Sequence, residues 1–317
     1  MQNNKLFIEM YKKIIDAHYI LIVSHKNPDA DTISSSLGLS NYFYENKIKH
    51  KVFNVSPLPR RLDFLNKFDK ISNKIPKFYD LIIYMDCANL SRVGELFPKE
   101  IDSISVDHHQ TNDNFANINI VDATKGSTAE LLHQFFSINN LPISKNVAEC
   151  LYVGIYDDSL AFTTQRTNRE TFKTVSDLLK KDINVSSLLD KLTQRESLSK
   201  FRIIPKIMNT LELFSEGKLA TVYLDEKWIK ETGANVHECD DIVEMVLALG
   251  IVKVVVYLRI VESKIRVSLR SKGNIDVSLI ASHFNGGGHQ NAAGLVVDST
   301  NIKKTKDTVV SFILNYI

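Results

Sequence analysis

Two five-residue runs, Tyr19-Ile20-Leu21-Ile22-Val23 and Leu81-Ile82-Ile83-Tyr84-Met85, carry no charged position. A strand with one wet face alternates apolar and polar residues, so runs like these must bury both faces, as the inner strands of a parallel sheet do. Shorter β-branched runs at 51–54 and 104–107 alternate with helix-patterned stretches at 31–46 and 127–139. That alternation predicts an α/β fold with a mostly parallel sheet flanked by helices. In such sheets the carboxyl ends of the strands line one crevice. Three runs pass there straight into polar residues: Ser24-His25, Asp86 and Asp107-His108-His109.

At 317 residues the chain exceeds the usual size of one domain. Charged helical patterning around 169–214 separates the first alternation from a second, with strands expected at 219–224, 252–259, 264–270 and 294–297. Helices are expected at 240–249, 277–284 and 302–316. The division predicted is an N-terminal domain over 1–185, a helical connector over 186–216 and a smaller C-terminal α/β domain over 217–317. Lys and Arg total 39 against 37 Asp and Glu, a balance that argues against holding long nucleic acid mainly by charge. The most apolar stretch, 245–258, is cut by Lys253 and too short to span a bilayer. With no signal-peptide pattern and 3 scattered cysteines, the expected setting is the reducing cytoplasm, without membrane association.

His25-x3-Asp29-x-Asp31 puts an imidazole and two carboxylates on one turn into a helix. Asp86 follows a run that buries both faces, where a carboxylate is costly unless compensated. Asp107-His108-His109 repeats the pattern, and Asp157-Asp158 closes the apolar stretch 150–156. Six ligands emerge: His25, Asp29, Asp31, Asp86, His108 and either Asp157 or Asp158. Nitrogen and oxygen donors without thiolate favour Mn²⁺, with Mg²⁺, Co²⁺ or Zn²⁺ also suited. Four carboxylates balance two divalent ions, which a shared Asp86 would hold roughly 3.5–4 Å apart. Further along, Gly286-Gly287-Gly288-His289 offers close backbone approach and an N–H nest for an anion. Arg266 and Arg270 share one face of a strand and supply positive charge. Neither a P-loop, a His-Glu-x2-His helix nor a Gly-x-Ser-x-Gly elbow is present.

Together, His25-Lys26-Asn27-Pro28-Asp29-Ala30-Asp31, Met85-Asp86, Asp107-His108-His109 and Gly154-Ile155-Tyr156-Asp157-Asp158 resemble the four motifs of the DHH phosphoesterases. Arg266-Val267-Ser268-Leu269-Arg270-Ser271 with Gly286-Gly287-Gly288-His289-Gln290-Asn291-Ala292-Ala293-Gly294 resembles the associated DHHA1 domain. The resemblance implies a two-Mn²⁺ site in the first domain and phosphate and base binding in the second. By motif, His25 and Asp29 would hold one ion, Asp31, His108 and Asp158 the other, and Asp86 both. His109 would face the substrate phosphate or leaving oxygen, and Asp107 would orient a histidine. Family members commonly read Gly-Ile-x-x-Asp-Thr-Gly-x-Phe, whereas Asp158 here is followed by Ser159-Leu160-Ala161-Phe162, without the glycine and with an extra acid at Asp157.

The NrnA-type oligoribonuclease and pAp phosphatase branch fits best, which implies short oligonucleotides or nucleotides as substrates and no tracking along long strands. A homodimer is one assembly open to such a chain. The alternatives are a phosphodiesterase of c-di-AMP or pApA and, from another class, a non-catalytic nucleotide-binding regulator.

Overall fold

Both charge-free runs become neighbouring strands. The computed structural model describes residues 2–94, 97–193, 196–261 and 263–316, and the chain forms two units, Met1–Arg195 and Glu196–Ile317. The first contains α1 (Gln2–Asp16), β1 (Ile20–Ser24), α2 (Ala30–Glu45), β2 (His50–Phe53), β3 (Leu81–Met85), β4 (Asp102–Asp107) and β5 (Ile118–Val121). It continues with α3 (Thr128–Ile138), α4 (Lys145–Asp158), α5 (Arg169–Leu179) and α6 (Val185–Thr193).

Its five strands are all parallel, in the order β2-β1-β3-β4-β5. Every residue of β1 and β3 is buried, and the two-residue period of a strand divides them between two cores. Ile20 and Ile22 join Phe7, Met10, Ile83, Ile104 and Phe135, while Leu21 and Val23 meet Phe53, Ile82, Tyr84 and Val93 on the other face.

Helix α2 starts where Asp29 accepts a hydrogen bond from Thr32 N at 3.0 Å, an N-cap. It is buried along almost its whole length. Ser34, Ser35, Ser36 and Gly38 keep it slender where α4 packs, and a Cβ on Gly38 would lie 3.1 Å from Leu151 Cδ2. The apolar stretch closed by the acidic pair Asp157-Asp158 is the end of helix α4.

The second unit runs α7 (Leu198–Met208), β6 (Glu212–Phe214), β7 (Leu219–Leu224), α8 (Glu226–Thr232), α9 (Ile242–Leu247), β8 (Val254–Val261) and β9 (Lys264–Ser271). It ends with α10 (Val277–His283), β10 (Gly287–His289), β11 (Ala292–Val297) and α11 (Ile302–Ile313). Its mixed sheet has the order β10-β11-β9-β8-β7-β6, with β7 and β8 parallel and the other neighbours antiparallel. Alternation again makes two cores: Val254, Val256 and Leu258 pack with Ile280 and Val309, whereas Val255 and Tyr257 pack with Ile203 and Ile242.

The stretch expected as a connector is shared out. Leu188 and Leu192 of α6 sit in cores of the first unit, and Ile203 and Ile207 of α7 sit in a core of the second. Among the described residues no helix is long and apolar enough to cross a membrane.

Candidate metal centre

The crevice at the carboxyl ends of β1, β3 and β4 gathers the polar residues that follow those strands. His25 Nε2 lies 3.7 Å from Asp29 Oδ2 and 3.7 Å from Asp86 Oδ2. The other oxygen of Asp86, Oδ1, lies 3.6 Å from His108 Nε2 and 3.5 Å from His109 Nδ1. His108 Nε2 is in turn 3.4 Å from Asp158 Oδ2. Potential ligand atoms thus fall into three overlapping groups, each within 4.8 Å: His25, Asp29 and Asp86; Asp31, His108 and Asp158; and Asp86, His108 and His109. Asp86 stands between the imidazoles with one oxygen toward each, at φ +58, a left-handed conformation that Asp tolerates better than most residues.

Helix ends and hydroxyls hold the carboxylates. Asp31 Oδ2 accepts from Thr128 N at 2.6 Å and Oδ1 from Ala129 N at 3.1 Å, both amides at the start of α3, where the helix dipole favours negative charge. Ser35 Oγ adds a third bond at 3.1 Å. Thr128 Oγ1 donates to Asp86 Oδ1 at 2.9 Å, and Thr32 Oγ1 lies 2.6 Å from Asp86 Oδ2 and 2.6 Å from His25 Nε2. Gly154 on α4 leaves room for this, since a Cβ there would stand 2.8 Å from Asp31 Oδ1 and 3.0 Å from Ala129 Cβ.

So much negative charge is costly in a buried site, and the protonation equilibria register it. Burial, then repulsion from Asp86, Asp158 and Asp29, pushes Asp31 well above the ordinary carboxylate range. Burial and the charges of Asp86 and Asp29 raise Asp158 to about 7. Burial opposes the charged form of His25, but hydrogen bonding to Asp29 and Asp86 raises it to about 10. Burial disfavours the Asp86 anion too, yet His25, His108, His109 and Thr32 hold its carboxyl below the usual range. With protein groups alone, burial and mutual repulsion favour the protonated forms of Asp31 and Asp158, and hydrogen bonding favours the positive charge on His25. Divalent cations would supply that positive charge, and an all-nitrogen-and-oxygen donor set suits Mn²⁺ or Mg²⁺.

His109 has a carboxylate partner of its own. Asp107 Oδ1 accepts from His109 N at 3.2 Å and lies 2.7 Å from its Nδ1, while Asp107 Oδ2 accepts from Asn112 Nδ2 at 2.7 Å. The Asp107 hydrogen bond raises the pKa of His109 against the cost of burial. The extra acid, Asp157, is taken up by the guanidinium of Arg61, with Nη1–Oδ1 2.6 Å and Nη2–Oδ2 3.0 Å. Sequence reasoning missed Arg61, Thr32, Thr128, Asn112 and the α3 amides. The helix itself was expected over 127–139, and the Ser-x-x-Glu capping pattern at Ser127–Glu130 is the signal that could have pointed to its first amides.

In the second unit, the glycine run is a short edge strand rather than the nest expected of it. Gly287, Gly288 and His289 pair with Gly294, Ala293 and Ala292, and these with Ser268, Leu269 and Arg270. His289, Ala292 and Arg270 therefore lie in one row across three strands, and opposed residues share a face. Arg266 and Arg270 both belong to the less buried face of β9, and Arg270 Nε is 3.5 Å from Glu244 Oε1. At Gly288, φ is +151 and a Cβ would meet Ala293 Cα at 2.5 Å, so a side chain there is blocked.

The DHH family N-terminal domain model matches residues 19–155, and the DHHA1 domain model matches 216–315. The bifunctional oligoribonuclease and PAP phosphatase NrnA of Thermus thermophilus is 30% identical over 293 residues, 92% of this chain and 88% of that protein. The chain belongs to the DHH family. This DHH chain is accordingly a hydrolase of ester bonds. Among solved structures, an exopolyphosphatase-related protein from Bacteroides fragilis matches with a TM-score of 0.89 and 27% identity, over 98% of this chain and 96% of that one. RecJ of Thermus thermophilus, solved in complex with Mn²⁺, shares the DHH fold at a TM-score of 0.57 and 15% identity, over 99% of this chain and 55% of RecJ.

Proposed function

We propose that this DHH protein is a Mn²⁺-dependent phosphoesterase that cuts oligoribonucleotides of a few nucleotides to mononucleotides and converts pAp to AMP. The observation that carries the reading is Asp86, which directs one carboxylate oxygen toward the His25 group and the other toward the His108 group. The choice of substrate leans on the likeness to NrnA along nearly the whole chain.

His25, Asp29 and Asp86 would hold one ion, and Asp31, His108, Asp158 and Asp86 the other. Paired divalent cations acidify a water and neutralise charge on phosphoryl oxygens, which explains a site without a nucleophilic Ser or Cys. The remaining roles fall to protein groups. Asp107 takes up Nδ1 of His109 and so leaves Nε2 as the atom that gives a proton to the leaving oxygen. The same hydrogen bond favours the protonated imidazole that this step needs. In the C-terminal unit, Arg266, Arg270 and His289 supply donors for an anionic nucleotide, and Gly286 to Gly288 let its backbone be approached closely.

The test is turnover by the protein stripped of metal and reloaded with Mn²⁺, against pAp, pApA, c-di-AMP, a five-nucleotide RNA and a long single strand, with Asp86→Asn in parallel. Release of AMP from pAp and of mononucleotides from the short RNA, lost without metal and in Asp86→Asn, is expected. Preferential turnover of c-di-AMP or of the long strand would replace the proposed substrate class.

A further inference from the structure

Two arginines of the N-terminal unit lie against the candidate metal centre without joining its ion pairs. Arg92 Nη2 is 3.5 Å from His25 Nδ1, and Arg166 Nη1 is 3.5 Å from His108 Nδ1. Neither contact gives the guanidinium an acceptor. His25 Nδ1 lies 2.9 Å from Lys26 O and His108 Nδ1 3.3 Å from Lys125 O. A carbonyl only accepts, so each Nδ1 carries the hydrogen and its Nε2 is left to face the carboxylates. The arginine N–H groups therefore point at donors. Among the described residues, no carboxylate lies within ion-pair distance of Arg92 or Arg166.

We propose that Arg92 and Arg166 are the phosphate-gripping side chains of the N-terminal unit, one beside each donor group, taking the non-bridging oxygens of the substrate phosphate. The inference rests on the phosphoesterase reading and extends it to residues that no motif singled out. With four carboxylates offset by two divalent ions, an incoming phosphate still needs cations. A guanidinium with unspent donors in a planar fork matches phosphate oxygens better than an ammonium does. Both residues are exposed to solvent, where a ligand can reach them, yet their backbones are pinned. Lys26 N donates to Arg92 O at 2.7 Å and Arg92 N to Asn89 Oδ1 at 3.2 Å, which ties Arg92 to the turns carrying His25 and Asp86. Asn168, the N-cap of α5, donates from Nδ2 to Arg166 O at 3.0 Å.

The probe is inorganic phosphate, measured by equilibrium dialysis on the Mn²⁺-loaded full chain, with bound Mn²⁺ counted in the same samples. Arg92→Gln and Arg166→Gln should each raise the phosphate Kd by about tenfold or more, as expected on losing a charge-assisted pair. Arg→Lys at either site should recover part of the loss, and the Mn²⁺ count should not change. An unaltered Kd would overturn the proposal, as would a wild-type protein that binds no phosphate. A loss of phosphate that accompanies a loss of Mn²⁺ would also overturn it, because the arginines would then be positioning the histidines. The measurement needs no turnover. If pAp and short RNA proved not to be substrates while the phosphate Kd still shifted, the substrate reading would fall and the arginine assignment would stand.

Discussion

Replacing Gly154 with alanine sets two physical rules against each other. Gly154 lies inside α4, and in an unobstructed helix interior Gly→Ala stabilises by about 1 kcal/mol. The new Cβ would stand 2.8 Å from Asp31 Oδ1, 3.0 Å from Ala129 Cβ and 3.4 Å from Ser34 Cβ. None of these atoms belongs to a long side chain that can swing aside. Ala129 is fixed in α3, Ser34 in α2, and Asp31 is held by the Thr128 and Ala129 amides. Overpacking of this kind costs about 1–3 kcal/mol, so the net change is a loss of up to about 2 kcal/mol. In a unit of this size a loss of about 2 kcal/mol lowers Tm by roughly 4–8 °C. Displacing Asp31 should also weaken Mn²⁺ binding by about tenfold or more, as disturbance of ligand support commonly does. Gly38→Ala is the control. Its Cβ would meet the terminal Cδ2 of Leu151 at 3.1 Å, a side chain that can adjust, and no carboxylate. Thermal melts and Mn²⁺ titration of the three proteins decide the matter. A Gly154→Ala protein as stable as wild type with unchanged Mn²⁺ affinity would refute the reasoning.

Leu160, Ala161 and Phe162 occupy consecutive left-handed positions, with φ of +47, +56 and +67, and Leu160 is 68% exposed. Leu160→Gly should therefore raise stability by roughly 0.5–1 kcal/mol, the relieved strain less the entropy of glycine, measured by denaturant titration. Asp157→Asn should leave Mn²⁺ binding unchanged, because Arg61 holds that carboxylate, whereas Asp158→Asn should weaken it by about tenfold or more; equal losses in a calorimetric titration would contradict the division. Burial holds the pKa of His50 below its ordinary 6.5. The folded state then binds fewer protons than the unfolded chain, so its contribution to stability is full above pH 6.5 and is lost as pH falls through that value. His50→Asn should flatten the decline in unfolding free energy between neutral and mildly acidic pH, and an unchanged slope would remove His50 from the account.

The strand ends were legible because each motif carries its chemistry within a few consecutive residues, directly after an apolar run whose burial is unmistakable. His25, Asp86 and His108 needed only the rule that parallel strands present their carboxyl ends together. What supports them was not legible. Thr32 and Thr128 reach Asp86 across 54 and 42 positions, and Arg61 reaches Asp157 across 96. Nothing near a threonine or arginine in sequence announces such a partner. The short strand β5 escaped notice because a four-residue run with Asn at its second position offers little periodicity. The glycine run suggested an N–H nest, and Ala292-Ala293-Gly294 beyond it makes it a strand edge instead, since small residues on both strands permit close pairing.

Each unit carries its own cores, and the chain divides its candidate chemistry along the same line. All the proposed metal donors fall between His25 and Asp158 in Met1–Arg195, and the glycine run and arginine strand fall in Glu196–Ile317. Substitutions that remodel one set do not enter the hydrophobic interior that supports the other. For a lineage under selection, this would let the proposed metal donors stay fixed while the proposed substrate-binding residues change, without either set disturbing the core that holds the other.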